Sequence, residues 1–470
     1  MVFSSYVFLF IFLPVTLGVY YAIPKKYNSA KNIWLLFASL VFYSWNNPVH
    51  LSILLLSIIL NWLSGIVLNR WTSIRKLLFI VSISLNTGLL IFFKYANFIV
   101  SNLSRINPAF GSSWSEIVLP LGISFFTFQG ISYVVDVYRG DVETLKNPLD
   151  VGLYIAMFPQ LVAGPIVRSK TIVTQLLHRS AQVDDIGRGF RRFIYGFAKK
   201  IILADTFGMI ADGIFPVVSS WNFCTAWIGI FSYTLQIYYD FSGYSDMAIG
   251  LGAMFGFHFQ ENFNYPYISL SITDFWRRWH ISLSSWFRDY IYIPCGGSRV
   301  TKSRYIFNVL LVWMLTGMWH GANWTFIIWG LYYGLLLLFE RLILGAKQQL
   351  FPKFIRWMLT FLLVMIGWVF FRSPSVVSAV QYLKVMFSFT FTHSDMTIFM
   401  RYIVNYFVFW ILGFIGIFPL KNYLVRFGNP PGIRSTTYAV IENLYIAGLL
   451  FLSVLYLLSG NYNAFIYFQF

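Results

Sequence analysis

Long apolar runs recur along the chain and are separated by short polar connections. Runs that approach 20 residues lie at 2–22, 32–46, 49–69, 77–96, 223–250, 307–320, 324–340, 355–372, 402–420 and 438–458. Because about 20 apolar residues cross the hydrocarbon core of a bilayer as a helix, each run is a candidate span. With one to three more between residues 117 and 215, the pattern predicts an all-α polytopic membrane protein with about eleven transmembrane helices.

Two apolar stretches, residues 117–138 and 154–168, carry residues that interrupt regular helices. These residues are Pro120, Gly122, Gln129, Gly130, Pro159, Gly164 and Pro165. Irregular backbone at membrane depth is tolerated only where it is buried in protein or lines a wet cavity. The middle third of the chain is therefore predicted to contain re-entrant or broken helices around a water-accessible pocket.

Composition and charge support the membrane interpretation. The chain is 58% hydrophobic and only 11% charged, whereas a soluble domain is about 25% charged. Its net charge of +17 is scattered over short connections, which is typical of cytoplasmic loops and not of a nucleic-acid-binding surface. The first run lacks the basic leader and cleavage site of a secretory signal. We therefore expect a multi-pass protein of the plasma or inner membrane, in contact with lipid, with an extracytoplasmic N-terminus.

Metal and hydrolase chemistry are disfavoured. The only cysteines are Cys224 and Cys295, too few for a disulfide framework or a four-thiolate zinc site, and two free thiols are expected. No His, Asp and Glu set has the spacing of metal ligands, and no GxSxG elbow is present. The sequence predicts neither a metal nor a bound cofactor.

Polar residues concentrate at 274–293, against the trend of the chain. Read as one helix, this segment places Trp276, Trp279, Leu283, Trp286 and Tyr290 on one face and Arg277, His280, Ser284 and Arg288 on another. Thr273 or Asp274 is expected to cap its start, and Pro294, Gly296 and Gly297 to end it. Such an interfacial helix suits either anionic lipid headgroups or a phosphate-bearing ligand, and charge alone leaves both open.

His320 is a stronger candidate for a functional residue than the basic face of this segment. It ends an apolar run and is flanked by Gly317, Gly321 and Asn323. An ionisable residue at membrane depth is a functional-site hypothesis by default, and a neutral imidazole can take a proton from a hydroxyl. The alternative is a structural histidine that links two helices by a hydrogen bond.

The segments DFWRRWHISLSSWFRDYIYIPCGGSR and TGMWHGANW resemble the paired histidine motifs of the membrane-bound O-acyltransferase superfamily. The upstream segments MFPQLVAGPIVR and QIYYDFSGYSDMAIGLGAMFGFHFQENFNYPY are similar to its alginate O-acetyltransferase branch, and the match covers most of residues 1–340. The resemblance implies one membrane domain over 1–470, with a core at about 117–340 around a central catalytic tunnel and peripheral spans at about 1–100 and 355–470. Cys295 stands where an apolar residue such as leucine is expected.

The resemblance also implies roles for single residues. His320 matches the catalytic histidine of the family and would act as the base, and His280 matches its first, supportive or catalytic, histidine. From the helix geometry we add Arg277, Arg288 and Ser284 as donor-binding residues. Asn323 is added to the donor-binding residues, and it is expected to orient His320 or to polarise a carbonyl.

The implied reaction is O-acetylation of an extracytoplasmic polysaccharide. The donor would be acetyl-CoA or another acyl thioester from the cytoplasmic side, and a separate extracytoplasmic acyltransferase would complete the transfer. One alternative is D-alanyl transfer to teichoic acid from an acyl carrier protein. A transporter is the alternative from another class, because broken helices and polar residues at mid-membrane also suit a translocation path. A structural scaffold for a synthase complex is a third reading.

Overall fold

A computed structural model describes most of the chain. The described residues are 1–45, 47–179, 182–218, 221–390, 393–419, 435–460 and 465. All regular elements in these ranges are helical, which confirms the all-α prediction. The Cα positions group into two compact units, Met1–Phe193 with Met247–Gln260, and Ile194–Asp246 with Glu261–Phe470. The single domain with a core at 117–340 stays a prediction.

The first unit is built from short and medium helices. These are α1 (Leu13–Ala22), α2 (Asn28–Ser44), α3 (Pro48–Arg70), α4 (Arg75–Ile106), α5 (Ile123–Arg139), α6 (Pro148–Ala156), α7 (Phe158–Leu161), α8 (Ser169–His178) and most of α9 (Val183–Ala198). A π-helical turn, Phe8–Phe12, precedes α1. Buried phenylalanine rings form part of the core, with the Phe12 and Phe158 centroids 5.3 Å apart.

Of the two stretches with helix-interrupting residues, only the second contains a broken helix. Helix α5 begins after Gly122, whose φ of 73° requires the left-handed conformation, and runs unbroken through Gly130, so the break predicted there is wrong. A Cβ at Gly130 would collide with the Asn61 side chain of α3, so this glycine allows close helix packing. The stretch 154–168 is broken as predicted: α6 ends at Ala156, α7 has four residues, and residues 162–168 are not helical.

The second unit contains the remaining helices. These are α10 (Asp205–Ile214), α11 (Phe223–Met254), α12 (Ile272–Arg278), α13 (Ile281–Phe287), α14 (Lys302–His320), α15 (Trp324–Phe339), α16 (Lys353–Arg372), α17 (Val376–Met386), α18 (His393–Asn405), α19 (Phe407–Ile415) and α20 (Ser435–Ser459). The last residues of α11 belong to the first unit. Three π-helical segments, Lys199–Ala204, Arg288–Tyr292 and Glu340–Leu344, continue α9, α13 and α15.

Among the described residues, five helices are long and apolar enough to cross a membrane. They are Pro48–Arg70, Thr72–Ile106, Trp324–Leu350, Lys353–Arg372 and Val440–Ser459, and the pair Asp395–Asn405 and Phe407–Ile415, bent by 69°, would make a sixth. These helices support a multi-pass membrane protein. The count of eleven is not confirmed, because runs such as 2–22 form shorter apolar helices, here Phe8–Ala22.

The core of the second unit is a dense set of aromatic rings. The Trp276 centroid lies 4.7 Å from that of Trp313 and 5.6 Å from that of Trp329. Trp329 and Trp368 are almost completely buried. Large rings bury much apolar area and pack in tilted and edge-to-face pairs. These rings form a well-packed core next to His320.

Candidate active site

The predicted helix over residues 274–293 is interrupted at His280. Helix α12 ends at Arg278, Trp279 is extended, and His280 has φ 45° and ψ 53°, so the prediction of one continuous helix is wrong. Left-handed backbone is uncommon outside glycine, although histidine is among the residues that tolerate it best. Non-glycine residues held in this conformation cluster at functional sites.

The structure also shows how this segment begins and ends. Ser271, and not Thr273 or Asp274, caps α12, because its hydroxyl accepts from the backbone N–H of Asp274 at 3.0 Å. The predicted stop is confirmed, since Gly296 and Gly297 both have positive φ, 103° and 59°, after the π-helical end at Tyr292.

Asn262 stabilises the break from an adjacent segment. Its backbone carbonyl accepts from the N–H of Ile281 at 2.9 Å, and the N–H of Asn264 donates to the carbonyl of Arg278 at 2.9 Å. These two bonds involve backbone groups on either side of His280. The interruption of the helix therefore depends on a partner about 18 residues away in the chain, which helical periodicity does not show.

The side chain of Asn262 also contacts His280. Asn262 Oδ1 lies 3.1 Å from His280 Nδ1, 2.9 Å from Ser282 Oγ and 3.2 Å from the backbone nitrogen of Ser282. Asn262 Nδ2 donates to Ser245 Oγ at 2.9 Å. His280 is 1% exposed, and burial lowers its pKa to about 3, so the imidazole is neutral at pH 7. Asn262 and Ser245 were not predicted from the sequence as site residues.

His320 occupies the end of α14 among aromatic rings. Its centroid lies 4.9 Å from that of Trp329, 5.0 Å from Phe371 and 5.0 Å from Trp319. The same Trp319 ring lies 5.8 Å from His280. The structure therefore places both predicted catalytic histidines against one tryptophan.

Two glycines set the position of the His320 backbone. A Cβ at Gly317 would collide with the carbonyl oxygen of Phe326, and one at Gly330 would collide with that of Trp313. Helices α14 and α15 thus approach backbone to backbone one turn before His320, in the small-residue packing typical of membrane helix pairs. Any larger residue at either position would push the two helices apart.

A cavity of about 650 Å³ opens beside this region within the second unit. Three of the four predicted donor-binding residues, Arg277, Ser284 and Arg288, line it. Asn323 and the two histidines do not. Thr316, one turn before His320 in α14, is also in the wall. The cavity wall and His320 are therefore joined by a single helical turn.

Most charged side chains that line the cavity already have an ion-pair or hydrogen-bond partner within the protein. Asp274 pairs with Arg278 at 2.8 Å, and Arg288 pairs with Asp289 at 2.7 Å. The Glu340 carboxylate accepts from the backbone N–H of Ile272 at 2.8 Å, at the start of α12. Such charge-assisted bonds satisfy much of the bonding capacity of these groups.

Arg277 differs from the other cavity arginines. Arg341 stacks over the Tyr305 ring at 4.5 Å, and Arg288 has its aspartate. Arg277 is exposed and has no acidic partner in the ranges that the structure describes. It is therefore the guanidinium best placed to bind an anionic ligand in the cavity.

Two further predicted residues have structural contacts. Asn323 caps α15, because its Oδ1 accepts from the N–H of Thr325 at 3.1 Å while its Nδ2 donates to the carbonyl of Pro374 at 3.0 Å. Cys295 is a half-buried free thiol, and its carbonyl accepts from Asn308. The role of Asn323 in orienting His320 or polarising a carbonyl stays a prediction.

Sequence similarity places this arrangement in a known family. Residues 143–380 match the MBOAT, membrane-bound O-acyltransferase, family. The chain is 46% identical to the probable alginate O-acetylase AlgI of Azotobacter vinelandii over 84% of this chain and 80% of that protein. It is 37% identical to the peptidoglycan O-acetyltransferase of Helicobacter pylori over 82% and 80%, respectively.

A more distant relative is the teichoic acid D-alanyltransferase of Bacillus subtilis. It is 32% identical over 46% of this chain and 58% of that protein. The family match covers the broken helix at 154–168, both histidines and the cavity. This chain therefore belongs to the membrane-bound O-acyltransferase family.

Proposed function

We propose that this protein is a membrane O-acetyltransferase that moves an acetyl group from a cytoplasmic thioester donor across the membrane for O-acetylation of an extracytoplasmic polysaccharide. The observation that carries the proposal is the cavity that holds Arg277 next to the helical turn bearing His320. Relatives named as an alginate O-acetylase and a peptidoglycan O-acetyltransferase support a polysaccharide acceptor.

The cavity suits a donor with an anionic end. Arg277 lies among the lining residues with Ser284, which offers a hydroxyl for hydrogen bonding. The wall near α14 is aromatic and includes Trp313. We infer that acetyl-CoA or another acyl thioester enters from the cytoplasmic side, with its phosphates near Arg277 and its thioester directed toward the histidines.

The acetyl transfer is a proton-coupled substitution at the thioester carbonyl. In the proposed step the hydroxyl of the acceptor attacks the carbonyl carbon while His320, the base, removes its proton. The new bond is the C–O bond of the ester, and the C–S bond breaks. The proton then passes from the imidazolium of His320 to the departing thiolate, which leaves both groups neutral.

The topology and partners belong to the same proposal. About eleven spans with re-entrant helices would enclose a tunnel in the inner membrane, with the N-terminus outside. An extracytoplasmic acyltransferase would take the acetyl group onward to the polysaccharide. An acyl carrier protein would replace the soluble thioester if the cargo were D-alanine, as the name of the Bacillus subtilis relative brings into consideration.

The test is acetyl transfer in reconstituted vesicles. Labelled acetyl-CoA is added to one side, and release of CoA and acetylation of an oligosaccharide on the other side are followed for wild type and His320→Ala. The control is His258→Ala, because His258 is exposed in the first unit. His320-dependent label transfer supports the proposal. Turnover only with a charged carrier protein would indicate D-alanyl transfer, and solute flux without thioester consumption would indicate a transporter.

A further inference from the structure

The hydrogen bonds around Asn262 determine which nitrogen of His280 carries the proton. The backbone N–H of Ser282 can only donate, and it points at the Asn262 side-chain atom 3.2 Å away. That atom must therefore be the amide oxygen, Oδ1. The amide nitrogen consequently faces Ser245 Oγ, to which it donates at 2.9 Å.

The orientation of the amide fixes the tautomer of the imidazole. Because Asn262 Oδ1 is an acceptor, His280 Nδ1, 3.1 Å away, must donate and so must carry the hydrogen. The Ser282 hydroxyl, 3.5 Å from Nδ1, also bonds to Oδ1 at 2.9 Å. In a neutral imidazole only one nitrogen is protonated, so Nε2 keeps its lone pair.

Nε2 is the nitrogen that remains for a substrate. It is buried and has no hydrogen-bond partner within the described ranges. Phe241 lies edge-on to the imidazole with centroids 4.6 Å apart, and Trp319, which also contacts His320, lies 5.8 Å away. These neighbours surround the imidazole with apolar rings, and the Trp319 ring lies between the two histidines in the chain of ring contacts.

We propose that Asn262 is a positioning residue of acyl transfer, which holds His280 as the Nδ1–H tautomer so that Nε2 accepts a hydrogen bond at the site. Ser245 anchors the amide of Asn262 from α11, and the left-handed backbone of His280 aims the ring. The catalytic part of this inference rests on the proposed function, whereas the tautomer does not.

The tautomer can be measured without activity. The chain has six histidines, so ¹⁵N-histidine labelling gives few signals, and His280→Asn identifies those of His280. At pH 7 we expect a protonated Nδ1 and an unprotonated Nε2 in wild type, and a mixture of tautomers in Asn262→Ala. A protonated Nε2 in wild type, or an unchanged pattern in Asn262→Ala, would overturn the proposal.

Kinetics test the catalytic part. Asn262→Ala should lower kcat by about 100-fold with donor KM unchanged, at the lower end of the ~10²–10³-fold cost of removing one preorganised hydrogen bond from a transition state. Asn262→Asp keeps an acceptor oxygen opposite Nδ1 and should restore much of the loss. Asn264→Ala, an exposed asparagine two residues away, is the matched control and should retain wild-type kcat.

The outcomes separate this proposal from the proposed function. If wild type transfers no acetyl group but His280 still shows the Asn262-dependent tautomer, the reaction assignment fails and the positioning role of Asn262 survives. If wild type transfers acetyl groups and folded Asn262→Ala does so at the same rate, the catalytic part of the positioning role is refuted. Thermal unfolding near that of wild type establishes that each variant is folded.

Discussion

The surroundings of His280 and His320 differ in the kind of contact that fixes each ring. His280 lies in a break between two short helices, and its Nδ1 meets an amide oxygen at 3.1 Å. His320 ends a helix of 19 residues, with three ring centroids within about 5 Å of its own. Trp319 touches both.

This difference predicts different effects of substitution at the two histidines. A hydrogen bond to one nitrogen selects a tautomer and a direction, whereas ring packing restricts where an imidazole can lie. We therefore expect substitutions that affect His280 to change which nitrogen of the imidazole is protonated and which accepts a hydrogen bond. Substitutions around His320 should act through the position of its ring relative to the donor.

The largest expected effect comes from His320. His320→Ala removes the proposed base and should lower acetyl transfer by about 10³-fold or more, toward the upper part of the range for general base catalysis. Label transfer in vesicles measures this loss, and thermal unfolding checks that the variant is folded. Wild-type rates in a folded His320→Ala protein would refute the assignment.

Substitution of His280 should lower kcat strongly, but less than substitution of His320. His280→Asn removes the imidazole and keeps a residue that tolerates the left-handed backbone, so the fold is retained while kcat falls by about 100-fold through loss of the acceptor Nε2. Steady-state kinetics with varied donor separate kcat from KM. If donor KM rises while kcat is unchanged, His280 contributes to donor binding and not to the transfer step in which His320 acts.

Acid should destabilise the His280 region in a defined direction. The pKa of His280 is about 3 in the folded chain and 6.5 when unperturbed, so below pH 6.5 the unfolded chain takes up a proton that the folded chain does not. Stability linked to this group is fully present above pH 6.5 and is lost as pH falls toward 3.

This loss amounts to about 2 kcal/mol between pH 7 and pH 5 at about 1.4 kcal/mol per unit below pH 6.5. His280→Asn lacks this proton uptake, so the stability of wild type relative to the variant should decrease by that amount. Thermal unfolding in detergent at the two pH values provides the measurement. An equal decrease in both proteins would mean that His280 titrates normally.

The smallest effects should come from the cavity arginines. Arg277→Ala should raise donor KM by about tenfold, because a charge-assisted hydrogen bond contributes about 1.5–3 kcal/mol and this guanidinium is exposed. Arg288→Ala should change KM less, since Asp289 already pairs with Arg288. Arg299→Ala, an exposed arginine outside the cavity lining, is the control. A loss confined to kcat would instead indicate a role in the transition state.

The helix predictions show where local patterns were insufficient. Gln129 and Gly130 are typical of an interrupted helix, yet both lie within α5, where Gly130 allows the close approach of Asn61 from α3. Residues 274–293 have helical periodicity, yet the helix breaks at His280 because Asn262 bonds to the freed backbone. In both segments, a partner distant in the chain decided the outcome.

The sequence by itself determined the helical class and the membrane character, and it predicted two candidate histidines and three of the residues that line the cavity. These features follow from apolar run length, from charged and polar residues in an apolar chain, and from motifs local in sequence. Only the tertiary structure decided the break at His280, the contact of both histidines with Trp319, and the amide that selects the His280 tautomer. The physical reason is that directional hydrogen bonds and ring contacts join residues tens of positions apart, whereas periodicity reports only neighbours within a helical turn.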